Sequence, residues 1–252
     1  MRGFIVMAMF AVSLSHAGSH NYSEVRNLEL DASGLSDLFI DAGAGALIVS
    51  GVEGSNEIVV VATIIVDEED EDEARKLIEK RLRLDIERDG NRAKLKAGFK
   101  TGWGWDGGAA IDLDVRMPAQ LALSVDDGSG SIKVNGIAGT VSIDDGSGPI
   151  ELANSGNVDI DDGSGSIKLE NTGGVKIDDG SGSITIVGAA GDVYVEDGSG
   201  TIDIKSVQGS VTVDDGSGDI VIDDVEHDLI IEEEGSGSLR YTNVRGAIQQ
   251  DD

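Results

Sequence analysis

The chain has 252 residues, a formal net charge of −29 and no cysteine, which excludes disulfide bonds, thiolate metal sites and a cysteine nucleophile. The excess of carboxylates makes nucleic acid and anionic membranes poor partners, because like charges repel each other. The 36 glycines and the 4 % aromatic content favour stacked short strands joined by tight turns over a core of bulky side chains.

The N-terminus has the order of a secretory signal peptide. Met1-Arg2 is a short positive start, residues 3–14 are apolar, and Ser15-His16-Ala17 places small residues at the cleavage positions. The apolar run is shorter than the roughly 20 residues that a membrane-spanning helix needs. The sequence therefore predicts a signal peptide over residues 1–17 and an exported chain over residues 18–252. We expect that chain to be periplasmic, secreted or at the cell surface, with no transmembrane segment.

Residues 18–118 form the less regular part of the exported chain. Apolar segments at residues 47–49 and 58–65 predict strands. The acidic run Asp67 to Glu73 predicts a helix over about residues 70–80, because carboxylates suit the N-terminal end of a helix dipole. Alternating apolar residues on either side of Asp89-Gly90 then predict a hairpin.

A repeat of 17 to 19 residues dominates residues 119–250. The string DGSG recurs with Asp127, Asp145, Asp162, Asp179, Asp197 and Asp215, and EGSG follows at Glu234. Every repeat holds two segments of the pattern apolar–variable–apolar, which is the period of a strand with one buried face. One repeat cannot bury that face alone, so stacked coils are expected.

An 18-residue coil also fits a left-handed hexapeptide helix, in which a core position recurs every six residues. Two steps of six from Ile132 end at Asp144, and we judged a core column containing Asp not to be credible. Two strands per coil remain, joined by the DGSG turn and by a second turn. We expect positive φ angles in that second turn at Gly136, Gly156, Gly174, Gly191 and Gly209.

The predicted fold is therefore all-β: a single-domain β-solenoid with two short strands per coil, plus a short helix and a hairpin near the N-terminal end. We expect the helix and hairpin to cap one end of the solenoid and residues 245–252 to cap the other, since exposed strand edges need protection.

Over roughly residues 25–250 the chain resembles the bacterial β-helix proteins known as putative adhesins. The resemblance depends on LIVSGVEGSNEIVVVAT from Leu47, on DLDVRMPAQLALSVDDGSG from Asp112, and on the GSG-punctuated coils. It implies a solenoid fold, an extracytoplasmic location and no catalytic residues. The chain departs from the family in having Asp-Asp before GSG, where Thr or Ser is common.

The paired acids allow three interpretations. The second acid of each pair can accept a hydrogen bond from a backbone N–H two residues on, with the acidic edge simply solvated. Cations can condense diffusely on that edge. Alternatively Ca²⁺ ions bridge the coils at Asp127, Asp145, Asp162, Asp179, Asp197 and Asp215. Against the last, Ca²⁺ needs six to eight oxygens, and neighbouring strand residues face opposite sides.

The segment Thr101 to Gly108 holds Trp103 and Trp105, which are candidate ligand contacts because indole rings stack on sugars or partner side chains. The alternative is that they cover the edge between the hairpin and the first coil. Glu226-His227-Asp228 shows no partnered nucleophile and is expected to be a surface turn.

We therefore predict a non-catalytic, adhesin-like scaffold or binding surface for a protein or a glycan, with no cofactor. The alternatives are a Ca²⁺-binding solenoid stabilised through its acidic turns and, less favoured, a glycan-active enzyme with two carboxylates, for which 48 acids give no specific signal.

Overall fold

The computed structural model describes residues 9–10, 22–100 and 108–250. The described chain is a β-solenoid built from one sheet of 12 strands, here sheet A, and one of 11 strands, here sheet B. The predicted all-β solenoid with two strands per coil is confirmed.

The N-terminal part contains the helix of the described chain. Its elements are β1 (Met9–Phe10), β2 (Tyr22–Asp31), β3 (Asp37–Ala44), β4 (Leu47–Val52), β5 (Glu57–Val66), α1 (Glu71–Arg81), β6 (Leu82–Asp89), β7 (Arg92–Phe99) and β8 (Ala109–Pro118).

The regular coils follow with two strands each. These strands are β9 (Ala122–Ser129), β10 (Ile132–Asn135), β11 (Val141–Asp145), β12 (Ile150–Ala153), β13 (Val158–Asp162), β14 (Gly165–Thr172), β15 (Val175–Asp179), β16 (Gly182–Ala189), β17 (Val193–Asp197), β18 (Gly200–Val207), β19 (Val211–Asp215), β20 (Gly218–Val225), β21 (Leu229–Glu233), β22 (Leu239–Val244) and β23 (Ile248–Gln250).

Strands one coil apart pair in parallel and in register. In sheet A the order runs β4-β10-β12-β14-β16-β18-β20-β22, and in sheet B it runs from β3 through β9 to β23 in odd-numbered steps. The first coil lies earlier in the chain than the DGSG repeat suggests, because β3 pairs with β9 and β4 pairs with β10. Residues 37–52 thus form a coil whose turn reads AGAG (residues 42–45) instead of DGSG.

The core lies between the two sheets and consists of aliphatic columns. Ile132, Ile150 and Ile167 are register partners in sheet A, and Val141 and Val158 are partners in sheet B, all of them buried. Each buried side chain of this size contributes roughly 1.5–3 kcal/mol of hydrophobic free energy. Every coil needs its neighbour to obtain that contribution, so the stack forms as one unit.

The N-terminal end is capped as predicted. In sheet A the strands β2, β5 and β8 pair antiparallel beyond β4, and in sheet B the β6–β7 hairpin pairs beyond β3. Helix α1 begins where the Asp70 side chain accepts hydrogen bonds from the backbone N–H groups of Asp72 and Glu73. Its buried residues are Ala74 and Ile78.

The C-terminal end does not have the predicted cap. Strand β23 pairs in parallel with β21 and extends sheet B by one strand, so it does not lie across the end of the core. Tyr241 and Ile248 are consequently 40 % and 45 % exposed. Residues 251–252 lie outside the described chain.

The predicted φ angles of the second turn are wrong at four of five glycines. The left-handed residue, with φ between 54° and 79°, falls at Gly136, Asn154, Asn171, Gly188, Ser206, Asp224 and Asn243. Asn and Asp tolerate this conformation better than other residues with a side chain. Gly156 and Gly209 serve another purpose: a Cβ at Gly156 would lie 2.6 Å from the Ala138 carbonyl oxygen, so the coils require glycine for close approach.

The second glycine of each GSG turn is also required by close approach. A Cβ there would lie 1.5–2.3 Å from a backbone carbonyl oxygen of the neighbouring coil. This glycine column consists of Gly45, Gly130, Gly148, Gly165, Gly182, Gly200, Gly218 and Gly237.

Candidate functional site

The two acids of each DGSG turn lie on opposite sides of sheet B. The second acid faces the interior and is between 0 % and 4 % exposed, at Asp127, Asp145, Asp162, Asp179, Asp197 and Asp215. The first acid faces solvent at Asp126, Asp144, Asp161, Asp178 and Glu196, and Asp214 is partly exposed. These two sets are called here the inner Asp column and the outer acidic row.

Members of the inner Asp column are direct register partners. Asp127, Asp145, Asp162, Asp179, Asp197 and Asp215 follow one another through five successive parallel strand pairs. Paired strands lie about 4.8 Å apart, so each carboxyl group has a carboxyl neighbour one coil away. At one end of the column, the register partner of Asp127 is Ala42, which has no carboxyl group. At the other end, the pairing of β19 with β21 shifts in register after Val213.

One oxygen of each inner carboxyl group is satisfied by the turn, and the other is not. Oδ1 of Asp145, Asp162, Asp179, Asp197 and Asp215 accepts a hydrogen bond from the backbone N–H of the serine two residues on, at 3.1–3.3 Å. This is the predicted turn hydrogen bond, and it is confirmed. Oδ2 of all six residues is buried with no hydrogen-bond partner.

The burial changes the acidity of the column. Loss of hydration raises the pKa of Asp127, Asp145, Asp179 and Asp197 to about 6, and it also raises the pKa of Asp162 and Asp215. Neighbouring carboxylates raise these pKa values further, and the turn N–H groups lower them. No lysine or arginine contributes to the shift at any of the six residues.

The interpretation of the pairs as a solvated acidic edge is therefore wrong for the second acid. Each coil has two strands, as predicted, but the core does contain a column of Asp, contrary to the premise used to exclude a hexapeptide helix. The sequence did carry the signal: in Val-Thr-Val-Asp-Asp (211–215) the period of two that buries Val211 and Val213 continues to Asp215.

In the described part of the chain, no group of three or more His, Asp or Glu side chains is arranged to hold a metal ion. One carboxyl group per coil faces inward and its partner faces outward, which leaves few oxygens for a cation that takes six to eight. A cation role for these residues stays a prediction.

The outward faces of the two sheets differ sharply in charge. On β9 through β19, the sheet B face carries seven acids (the outer acidic row and Asp159) and one base, Lys176. The sheet A face carries two long register rows on β4 to β22 and a shorter row of Ser166, Ser183, Thr201 and Asp219. One long row is Ile48, Lys133, Glu151, Lys168, Thr185, Asp203, Val221 and Arg240, and the other is Ser50, Asn135, Ala153, Glu170, Val187, Lys205, Asp223 and Thr242.

The sheet A face carries four bases and five acids, so it is nearly balanced in charge. Ion pairs join Lys133 to Glu151 at 2.8 Å and Lys168 to Glu170 at 2.7 Å. The small side chain of Ala153 leaves a shallow depression of about 240 Å³ beside these pairs. Exposed aliphatic side chains, Ile48 at 43 % and Val187 at 39 %, lie on the same face.

A second hollow, of about 430 Å³, lies at the N-terminal end between β2, α1 and β6. Its polar lining includes Glu24, Arg26 and Arg75, and its apolar lining includes Ile78. Glu24 and Arg26 pair at 2.6 Å, so the polar groups of this hollow largely satisfy one another.

The remaining candidate residues divide into two groups. Trp103 and Trp105 lie outside the described residues; the chain enters that segment after Lys100, whose N–H donates to the Arg81 carbonyl, and leaves it at Gly108. Glu226-His227-Asp228 is an exposed turn between β20 and β21, as predicted. Glu226 pairs with Arg245, and Asp228 Oδ1 accepts from the Ala247 N–H at 2.8 Å.

The search for bilayer-spanning segments found no helix of sufficient length and apolarity among the described residues. No protein-family model matches the chain, and no curated protein matches it in sequence.

Solved structures resemble the chain at low sequence identity. A putative adhesin from Parabacteroides distasonis is 14 % identical, with a TM-score of 0.50 over 90 % of this chain and 97 % of that one. A putative adhesin from Parabacteroides merdae is 13 % identical, with a TM-score of 0.45 over 94 % and 98 % of the two chains. A putative lipid binding protein from P. distasonis is 14 % identical, with a TM-score of 0.44 over 94 % and 98 %. The fold of this chain is thus the β-solenoid found in the first of these proteins, which confirms the resemblance read from the sequence at the level of fold.

Proposed function

We propose that this protein is an exported, non-catalytic solenoid of adhesin type whose sheet A face binds a protein or a glycan. The observation that carries the proposal is the contrast between the two faces. Although the chain has a net charge of −29, one long face carries four bases and five acids, while the opposite face carries seven acids and one base.

Charge balance matters because desolvation and repulsion oppose contact at an acidic face. The carboxylates of the sheet B face repel other acidic surfaces, whereas the ion pairs of the sheet A face leave little net field. Exposed Ile48 and Val187 add apolar area, and Asn135 and Thr242 add hydrogen-bonding groups. A mixture of this kind is typical of non-obligate interfaces and of sugar contacts.

A face of this shape also favours binding over catalysis. The depression beside Ala153 is shallow and its lysines and glutamates are paired with each other. A glycosidase of the common type needs two carboxyl groups facing each other across an enclosed sugar. The likeness to putative adhesins and the signal peptide predicted at residues 1–17 point toward a location outside the cytoplasm.

The test compares the two faces with matched charge changes. The purified chain is applied to a glycan array and to immobilised extracellular-matrix proteins, and saturable binding is measured for the wild type, for Lys133→Glu/Lys168→Glu, and for Lys176→Glu on sheet B. All three lysines are exposed on strands, so none of the changes is expected to disturb the core. Lys133 and Lys168 share sheet A, whereas Lys176 lies on the other sheet, which the sequence alone did not distinguish.

We expect the double variant to weaken binding by tenfold or more and the Lys176→Glu variant to bind like the wild type. The Trp103→Ala/Trp105→Ala variant tests the tryptophan segment separately. Absence of saturable binding on every surface, or loss of binding only with Lys176→Glu, would show that the sheet A face is not the binding surface.

A further inference from the structure

We propose that the inner Asp column is a proton-binding site, so that the solenoid takes up protons along its interior and is most stable in mildly acidic surroundings. This inference is independent of the proposed binding function. It begins from six carboxyl groups that are at least 96 % buried and from their six Oδ2 atoms, none of which has a hydrogen-bond partner.

A buried carboxylate without a partner is unfavourable, and three kinds of partner can relieve it: a basic side chain, a metal cation or a proton. Among the residues that the structure describes, no lysine or arginine acts on the column. The groups that act on the column are its own members and the outer acids Asp126, Asp144, Asp161, Asp178 and Asp214 on the same strands, and all of these are acidic.

A metal cation is disfavoured by the count and placement of oxygens. Each coil directs one carboxyl group inward, and Oδ1 of that group already accepts the turn N–H. Within its own turn, Oδ2 lies close to the second glycine of GSG: a Cβ at Gly165 would lie 3.1 Å from Asp162 Oδ2. Glycine supplies no ligand side chain, and the inward residues that precede the acids, such as Ile160 and Ile177, are aliphatic.

A proton requires neither additional ligands nor additional space. A protonated carboxyl group gains one O–H donor and keeps an acceptor, so adjacent members of the column can alternate as donor and acceptor. Register pairing aligns the six groups from Asp127 to Asp215 in one row, which makes such a chain of hydrogen bonds possible through the regular coils.

The sign of the pH effect follows from proton uptake on folding. The folded pKa of about 6 exceeds the ordinary Asp value of about 3.9, so the folded state holds more protons than the unfolded state between these values. The contribution of the column to the free energy of unfolding is therefore largest below about pH 4. It falls as the pH rises through about 6 and stays low at higher pH.

The experiment uses neighbouring residues of one strand as variant and control. Asp162→Asn replaces an inner carboxyl group by a neutral group of the same shape that keeps the turn acceptor. Asp161→Asn makes the same change of charge on the outer acidic row. Thermal unfolding of the wild type and both variants is followed at pH 4.5 and pH 7.5 at constant ionic strength, with EDTA, Ca²⁺ or Mg²⁺ added in separate samples.

We expect the wild type to melt several degrees higher at pH 4.5 than at pH 7.5. Asp162→Asn should raise the midpoint at pH 7.5 by clearly more than Asp161→Asn does, and it should bring little gain at pH 4.5. A fall in the midpoint with Asp162→Asn at pH 7.5 would overturn the proposal, and a large rise specific to Ca²⁺ in the wild type would show that the column holds a cation instead.

A second measurement is independent of the variants. Carboxyl-carbon NMR of the wild type, labelled at Asp, reports each titration directly. Titration of Asp127, Asp145, Asp179 and Asp197 near pH 6, with the pKa values of Asp162 and Asp215 also raised, supports the proposal, whereas titration of every aspartate below pH 4.5 overturns it.

Discussion

The glycine column makes the sharpest stability prediction, and Gly200→Ala is the perturbation that tests it. A Cβ at Gly200 would lie 1.6 Å from the Gly182 carbonyl oxygen and 3.0 Å from Asp197 Oδ2. Its φ angle is not left-handed, so the expected effect is steric. To relieve this clash, the neighbouring coils must separate by more than an ångström. The separation would weaken two hydrogen bonds between coils, from the Gly182 N–H to the Ser199 carbonyl oxygen and from the Gly200 N–H to the Ser217 carbonyl oxygen.

The expected loss is about 4 kcal/mol, from overpacking of about 1–3 kcal/mol and about 1 kcal/mol for each weakened hydrogen bond. For a chain of this size that corresponds to a fall in the melting midpoint of about 8–16 °C if unfolding is cooperative. Gly98→Ala is the control, because no atom lies within 4 Å of the added Cβ and its φ is not left-handed. Circular dichroism during heating and in urea measures both variants.

An equal, small effect of Gly200→Ala and Gly98→Ala would refute the steric reasoning. It would mean that neighbouring coils can separate without loss of the backbone hydrogen bonds between them. The second glycine of each GSG turn would then be present for another reason.

Three further predictions concern a turn, the helix and the N-terminus. Asn171→Val should lower the free energy of unfolding by about 1–2 kcal/mol, because a β-branched residue disfavours the φ of 55° at this position. Asn171→Gly should leave the free energy of unfolding nearly unchanged, and urea titration measures both variants. Asp70→Ala should lower the free energy of unfolding by about 1 kcal/mol in the same assay, because the N-cap of α1 is lost. Asp70→Ser should retain most of that free energy, because serine can also cap the helix. N-terminal sequencing of the chain recovered from outside the cytoplasm should begin at Gly18; recovery of an uncleaved chain from the cytoplasm would contradict the predicted signal peptide.

Sequence reasoning predicted the coil well because two independent periods agree. The spacing of DGSG sets the coil length, and the period of two in segments such as Ile184-Thr185-Ile186 sets which side chains are buried. Helix α1 and the β6–β7 hairpin were equally clear, since Asp70 and Asp89-Gly90 are local signals. The first coil was less clear because Gly43-Ala44-Gly45 replaces the DGSG string.

The candidate site was predicted only in outline. The six aspartates and their turn hydrogen bonds were predicted, but their burial was missed because the paired acids were assigned to a solvated turn edge. Which lysines share the sheet A face could not be predicted from the sequence either. Lys168 lies on sheet A and Lys176 lies on sheet B, although they are only eight residues apart in the chain.

By itself, the sequence determined the elements that depend on neighbouring residues: strand period, coil length, hydrogen-bonded turns and the helix cap. Tertiary structure decided everything that depends on one coil lying against the next. The Gly209 position needs glycine because a Cβ would lie 2.5 Å from the Gly191 carbonyl carbon, and not because of its φ angle. Asp179 lies in the core because the ladder between β15 and β17 continues through it. Such contacts join residues one coil apart: the local period of two places Asp179 on the inward phase of its strand, but only the stacked coils bury it.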